Sequence, residues 1–197
     1  MFKQYSFITK SIKQDTESYV LNNIVYHGSP DKLSIIKGSK TRKSKRFNYN
    51  CVFVTPFKYM ASHFIIEKET IFNEVLKRYP HIKKSFYTIE GGYPTSYYME
   101  FSNKVRTDKS FKHKAQTTCV KKTVMYVVIQ DKNHNLMEFE DFDMNYTGYI
   151  HYIDYNQYKD NSFQDHDYPF EFLVKGNVKP FKVEKINVDF TIKCFRK

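Results

Sequence analysis

The chain places a histidine directly before a glycine at the end of an apolar run, Val25-Tyr26-His27-Gly28-Ser29. Glycine permits a turn with φ > 0 and lets a ligand approach the backbone closely. His27, Gly28 and Ser29 therefore stand where a strand end would meet a ligand. A second apolar run, Val52-Phe53-Val54-Thr55-Pro56, closes on a helix start, with Thr55 as N-cap and Pro56 at the first helical position. Between the two lies a run of cations, Lys32, Lys37, Lys40, Arg42, Lys43, Lys45 and Arg46, against the single acid Asp31. Late in the chain Glu171, in Phe170-Glu171-Phe172-Leu173-Val174, shares its strand face with Leu173. Two strands that end in polar, ligand-ready corners make a site more plausible than either would alone, with the cation run and Glu171 as further candidates. Each also has an ordinary explanation. A lone His is usually a hydrogen-bonded core residue, the acid can sit on a solvated edge strand, and the cations can belong to a solvated loop.

The elements that must position these residues are legible in outline. Tyr19 to Tyr26 reads as the first strand, and the segment before it, up to about Glu17, as a short helix without a clean period. Asp31 to Asn50, with Gly38 and several Ser and Thr, reads as an exposed loop, and loops this long are usually functional or disordered. After Pro56, the residues Phe57, Met60, Ala61 and Phe64 fall at helical spacing on one apolar face. A second helix is expected over Glu69 to Arg78, carrying Ile71, Phe72, Val75 and Leu76. Phe86–Glu90 and Tyr97–Phe101 flank Gly91-Gly92 as a hairpin, and Asn103 to Gln116 reads as a basic loop. Thr123 to Gln130 is a β-branched strand expected to be central. Residues 138 to 167 turn acidic around a strand at Gly148–Asp154, and Asn156 to Pro169 reads as an exposed connection. Strands follow at Phe170–Val174, Val178–Ile186 and Val188–Cys194. Strands dominate and no linker or repeat stands out, so residues 1–197 are read as a single α+β domain.

Composition narrows the partners. The chain has 197 residues, enough for one continuous core. Lys and Arg number 32 against 21 Asp and Glu, a net +11 that favours a dinucleotide, nucleic acid or an acidic protein surface. Cys51, Cys119 and Cys194 are odd in number and widely spaced, which suits a reducing compartment and argues against a disulfide framework or a zinc site. No apolar run approaches a membrane span, and the first sixteen residues lack a secretory apolar core. The expectation is a soluble, cytoplasmic protein with no metal and no membrane partner.

Taken together, Tyr26-His27-Gly28-Ser29, the basic loop, Val52-Phe53-Val54-Thr55-Pro56 running into Ala61-Ser62-His63-Phe64, and Glu171 resemble the ADP-ribosyltransferase fold of the diphtheria-toxin and poly-ADP-ribose-polymerase type. The resemblance runs from about Ile24 to Ile186, in separate islands. It implies a split antiparallel sheet core with flanking helices and NAD as co-substrate. It also implies an NAD-dependent mono-ADP-ribosyltransferase, a toxin or effector of bacterial or viral type acting inside a cell. Cleaving the nicotinamide–ribose bond develops an oxocarbenium-like centre, beside which a carboxylate is needed. The resemblance gives Glu171 that catalytic role, His27 a ribose hydroxyl, the Gly28 backbone the nicotinamide amide, and the loop with Arg42 and Lys43 the pyrophosphate. Ser29, Phe53, Thr55, Tyr59 and Phe64 complete the expected NAD site. The family pattern has Tyr where this chain has Phe53 and Phe64, with Tyr59 able to compensate for a lost phenol. Arginine-modifying relatives carry another Glu two residues before the catalytic one, where this chain has Pro169. The acceptor, protein or nucleic acid, is left open. So are an NAD glycohydrolase, an RNA 2′-phosphotransferase and an inactive nucleotide- or nucleic-acid-binding module.

Overall fold

Two thirteen-residue strands form the spine: β5, Phe142–Asp154, runs antiparallel to β8, Lys182–Cys194. In the computed structural model, residues 20–39, 49–81, 87–90, 109–119, 122–133, 135–164 and 171–194 are described. β1, Ile24–Ser29, joins the free side of β5, while β4, Lys122–Asp131, lies parallel to β8 and carries β3, Tyr87–Glu90, on its outer edge. The resulting order is β1-β5-β8-β4-β3. A second, three-stranded sheet has β2, Cys51–Val54, against β7, Phe172–Lys175, against β6, Ser162–Gln164. The helices are α1, Lys58–Ala61, continued by a 3₁₀ turn at Ser62–Phe64; α2, Lys68–Arg78; and α3, Lys109–Thr117. The protein is thus mixed α+β, dominated by antiparallel-rich sheet.

Period-two alternation builds two cores. Met125, Val127 and Ile129 of β4, Val188, Phe190 and Ile192 of β8, and Ile150 of β5 point to one face, covered by Ile71, Phe72 and Val75 of α2. Val25 and Ile153 point the other way and meet Val52, Val54, Phe172 and Val174 of the second sheet, together with Ile36 and Val178. Beyond that, the outward face of β5 is polar. Asp143, Asn145 and Thr147 bond across to Thr191, Asp189 and Asn187 of β8 at 2.6, 2.6 and 3.1 Å. Asp143 of this acidic region is therefore part of a strand that begins at Phe142, before the expected Gly148.

Several expected boundaries move. The first strand starts at Ile24 because Asn22 and Asn23 take left-handed backbone, φ 55 and 57, and turn the chain just before it. Val178 does not open a strand but bridges Ile36, so the two expected last strands are one, from Lys182. The basic stretch read as a loop after Asn103 is helical over Lys109–Thr117, burying Ala115 and Gln116. Lysine is a good helix former, so a basic composition does not by itself mark a loop. Asn156 to Gln164 is not an open connection but two 3₁₀ turns leading into β6. The strand at Thr123–Gln130 is interior, and α2 falls within a residue of expectation. The short helix before Glu17, the second hairpin arm at Tyr97–Phe101, and Arg42, Lys43, Lys45 and Arg46 lie outside the described residues. Among the described residues no helix is long and apolar enough to cross a membrane.

Candidate functional site

β1 and β2 belong to different sheets, and they touch at one point. There Tyr26 N–H donates to the Thr55 carbonyl at 2.7 Å and Thr55 N–H donates to the Tyr26 carbonyl at 2.9 Å. Continued along both strands, this register would pair Gly28 with Phe53. It does not continue: among the described residues Gly28 and Phe53 exchange no backbone hydrogen bond. Backbone groups alternate sides along an antiparallel strand. Asn23, whose carbonyl takes Tyr155 N–H at 2.7 Å, and the residues His27 and Ser29 in step with it face β5. Tyr26 and Gly28 face the other way. The N–H and C=O of Gly28 therefore point toward the β2 side, and among the described residues no hydrogen bond reaches them.

His27 spans the opening. Its Nδ1 lies 2.7 Å from the Phe53 carbonyl, which can only accept, so Nδ1 carries the proton and Nε2 is left with a lone pair. Burial, only partly offset by that bond, lowers the His27 pKa to about 4, and the neighbouring His151 adds to the effect. The ring is thus neutral at pH 7 and offers an acceptor, not a positive charge. A His with a pKa below its unfolded value costs stability as acid protonates the unfolded chain first. Between pH 7 and 5, below the unfolded value near 6.5 and above the folded one, this should remove about 2 kcal/mol. Urea midpoints at the two pH values check it: the loss should be clearly smaller in His27→Gln than in the parent protein.

Gly28 is not a left-handed turn, since Gly176 is the only glycine with positive φ among the described residues. Its missing side chain serves a close approach instead: a Cβ there would stand 1.9 Å from the Ala61 carbonyl oxygen. The α1 segment is therefore laid directly over β1 at this residue. Thr55 is not the helix N-cap either; Phe57 is. Thr55 is held extended by the bridge to Tyr26, and its buried hydroxyl accepts Phe57 N–H at 3.2 Å and donates to Met60 Sδ at 3.4 Å. Both functions of that hydroxyl are used in closing the turn. Ser29 Oγ accepts Asp31 N–H at 3.1 Å. Tyr59 and Phe64 are half-buried on the α1 segment, the former with its ring 5.2 Å from that of His63.

A cluster not anticipated in the sequence holds α1 in place. The Lys58 ammonium reaches both Glu184 oxygens at 3.0 and 2.8 Å, and the Tyr152 hydroxyl also donates to Glu184. Burial would lower the Lys58 pKa, but these bonds outweigh it and raise it. For Glu184, burial acts upward, and the bonds to Lys58 and Tyr152 bring the carboxyl below its usual range. A lysine inside an apolar helix face was the available signal.

Glu171 is half-buried just before β7. The β2–β7 register, Phe53 opposite Leu173 and Val54 opposite Phe172, puts Thr55 opposite Glu171 when carried one residue further. Thr55 is thus flanked by Tyr26 on one side and Glu171 on the other, about 10 Å apart over two strand spacings. By that register Glu171 lies two strand spacings from β1, the strand that carries His27 and Gly28. Strand alternation alone would put His27 and Glu171 on opposite faces, but the divergence of β1 from β2 lets the His27 ring reach into the opening. Phe53 contributes its carbonyl, while its half-buried ring lies on the Leu173 face. Among the described residues no group of three or more His, Cys, Asp or Glu is placed to hold a metal, and the three cysteines are free thiols. No protein-family model, curated protein or solved structure matches the chain.

Proposed function

We propose that this chain has an ADP-ribosyltransferase-type fold and uses NAD to transfer ADP-ribose to a macromolecular acceptor. The observation that carries the reading is the opened β1–β2 junction, where the Gly28 N–H and C=O make no hydrogen bond among the described residues. A donor and an acceptor from one extended residue match a primary carboxamide, which presents the reverse pair. Nicotinamide is such a carboxamide. His27 Nε2, fixed as an acceptor by the Phe53 carbonyl, suits a ribose hydroxyl. Glu171, opposite Thr55 by the extended register, supplies negative charge for the oxocarbenium-like centre that forms as the nicotinamide bond breaks. The half-buried rings of Tyr59 and Phe64 on the segment laid over Gly28 suit stacking on the nicotinamide.

Labelled NAD incubated with the protein and a cell lysate tests the reading. ADP-ribose transferred to a macromolecule supports it. Free ADP-ribose alone identifies a glycohydrolase, and neither product together with no NAD binding identifies an inactive module. Pyrophosphate binding by the cation-rich segment gives a separate expectation. Neutralising Arg42, Lys43, Lys45 and Arg46 together should weaken NAD affinity, with the deficit shrinking as salt is raised. Calorimetry at two ionic strengths checks this, and unchanged affinity would remove the segment from the NAD site.

A further inference from the structure

One corner of the second sheet gathers exposed cations around aromatic rings. Lys175 ends β7, and its ammonium lies 4.2 Å from the centre of the Tyr49 ring and 6.0 Å from that of Phe163. Phe163 of β6 stands opposite Leu173, two residues before Lys175 and so on the same sheet face. Tyr49 is 49% exposed, Lys175 is exposed and Phe163 is half-buried. A ring with half of its surface in solvent can take a second flat group.

The backbone beneath this corner is tied together. Ser39 and Cys51 exchange both backbone hydrogen bonds at 3.1 Å, Gly176 N–H donates to the Asn50 carbonyl at 2.8 Å, and Gly38 N–H donates to Asn177 Oδ1 at 3.1 Å. Ile36 and Val178 exchange theirs at 2.8 and 2.9 Å, and Lys179 N–H donates to the Tyr158 hydroxyl at 2.9 Å. These ties bring Lys37 and Lys179 to the corner that carries Lys175, with Lys159 next to Tyr158. All four lysines are exposed. Across residues 36–39, 49–51, 158–163 and 175–179 the sequence has one acid, Asp160. Single surface rings and lysines are ordinary. Here two rings flank one ammonium, and the cations around them sit on a backbone that folding has already fixed.

We propose that this corner binds single-stranded nucleic acid, with an unpaired base stacked on Tyr49 and the flanking phosphates met by Lys37, Lys175 and Lys179. Any polyanion would satisfy the lysines. The exposed ring selects a strand with unpaired bases, because stacking needs a free base face that a duplex keeps covered. An acidic protein segment offers the charge without the flat face. Such binding goes beyond the NAD reading above and does not depend on it.

Fluorescence anisotropy with a labelled oligothymidine of about twelve nucleotides, and with a duplex of the same length, tests this. The parent should bind the single strand more tightly than the duplex at equal salt. Tyr49→Ala should weaken single-strand binding about tenfold, the worth of one stacked base, with little change in salt dependence. Tyr49→Phe keeps the ring and should retain most of the affinity. Lys175→Gln should weaken binding and flatten its salt dependence by about one phosphate contact. Lys132→Gln, at an exposed lysine outside these stretches, should do neither. Each variant alters an exposed side chain and should fold as the parent does, which its urea midpoint checks. Parent protein that binds the duplex or polyglutamate as tightly as the single strand would overturn the inference. So would Tyr49→Ala that binds like the parent, or a loss in Lys132→Gln equal to that in Lys175→Gln.

Discussion

Glu171→Gln should consume NAD about 10²–10³-fold more slowly than the parent, equivalent to roughly 3–4 kcal/mol of barrier. The change keeps the shape and removes the charge, so it separates electrostatic stabilisation from packing. NAD affinity should fall far less, because the amide can still hydrogen-bond a ribose hydroxyl. His27→Ala should behave differently. Its Nε2 is placed to hold the bound ground state, so affinity and turnover should fall together. Nicotinamide release measured at several NAD concentrations, on proteins that still unfold cooperatively, distinguishes the patterns. Full turnover in Glu171→Gln would remove the catalytic assignment.

Gly28→Ala should produce the largest loss of stability at the site. The added methyl would stand 1.9 Å from the Ala61 carbonyl oxygen and 3.3 Å from the Phe64 carbonyl carbon, both backbone atoms. Neither is a flexible side-chain tip, so the α1 segment must lift from β1. That segment is anchored elsewhere by the Lys58–Glu184 pair and by burial of Phe57 and Met60. The strain is therefore shared between two well-held elements and should cost about 3 kcal/mol or more. Against total stabilities of about 5–15 kcal/mol, that is a shift readily seen in a urea midpoint. An unchanged midpoint would mean that the approach of α1 to Gly28 is looser than described.

How much of this was legible in the sequence depends on what set each feature. The paired motifs around His27 and Phe53 were legible because strand ends and turn residues are local. The second helix was readable from its spacing. What was not readable is tertiary. Nothing in Gly28 says whether it is needed for a left-handed turn or for the approach of another backbone; the second holds here. Thr55 and Pro56 look like a helix start, but the bridge to Tyr26 keeps Thr55 extended and delays the helix by two residues. His151 sits in an alternating strand with no local mark, and its hydrogen bond from the Leu33 N–H arises only once β1 lies beside it and Leu33 folds back. The early part of β5 was obscured by its exposed polar residues, Asp143 and Asn145, which bond across to Thr191 and Asp189 of β8.

The proposed NAD binding is tested most directly at the backbone of Gly28. In an amide NMR titration of ¹⁵N-labelled protein with NAD, and separately with nicotinamide, the Gly28 N–H should shift strongly with both ligands as it gains a carbonyl acceptor. Nicotinic acid, which lacks the amide donor needed by the Gly28 carbonyl, should shift it far less. A Gly28 resonance unmoved by saturating NAD, or moved equally by nicotinamide and nicotinic acid, would contradict a carboxamide seated at the opened junction.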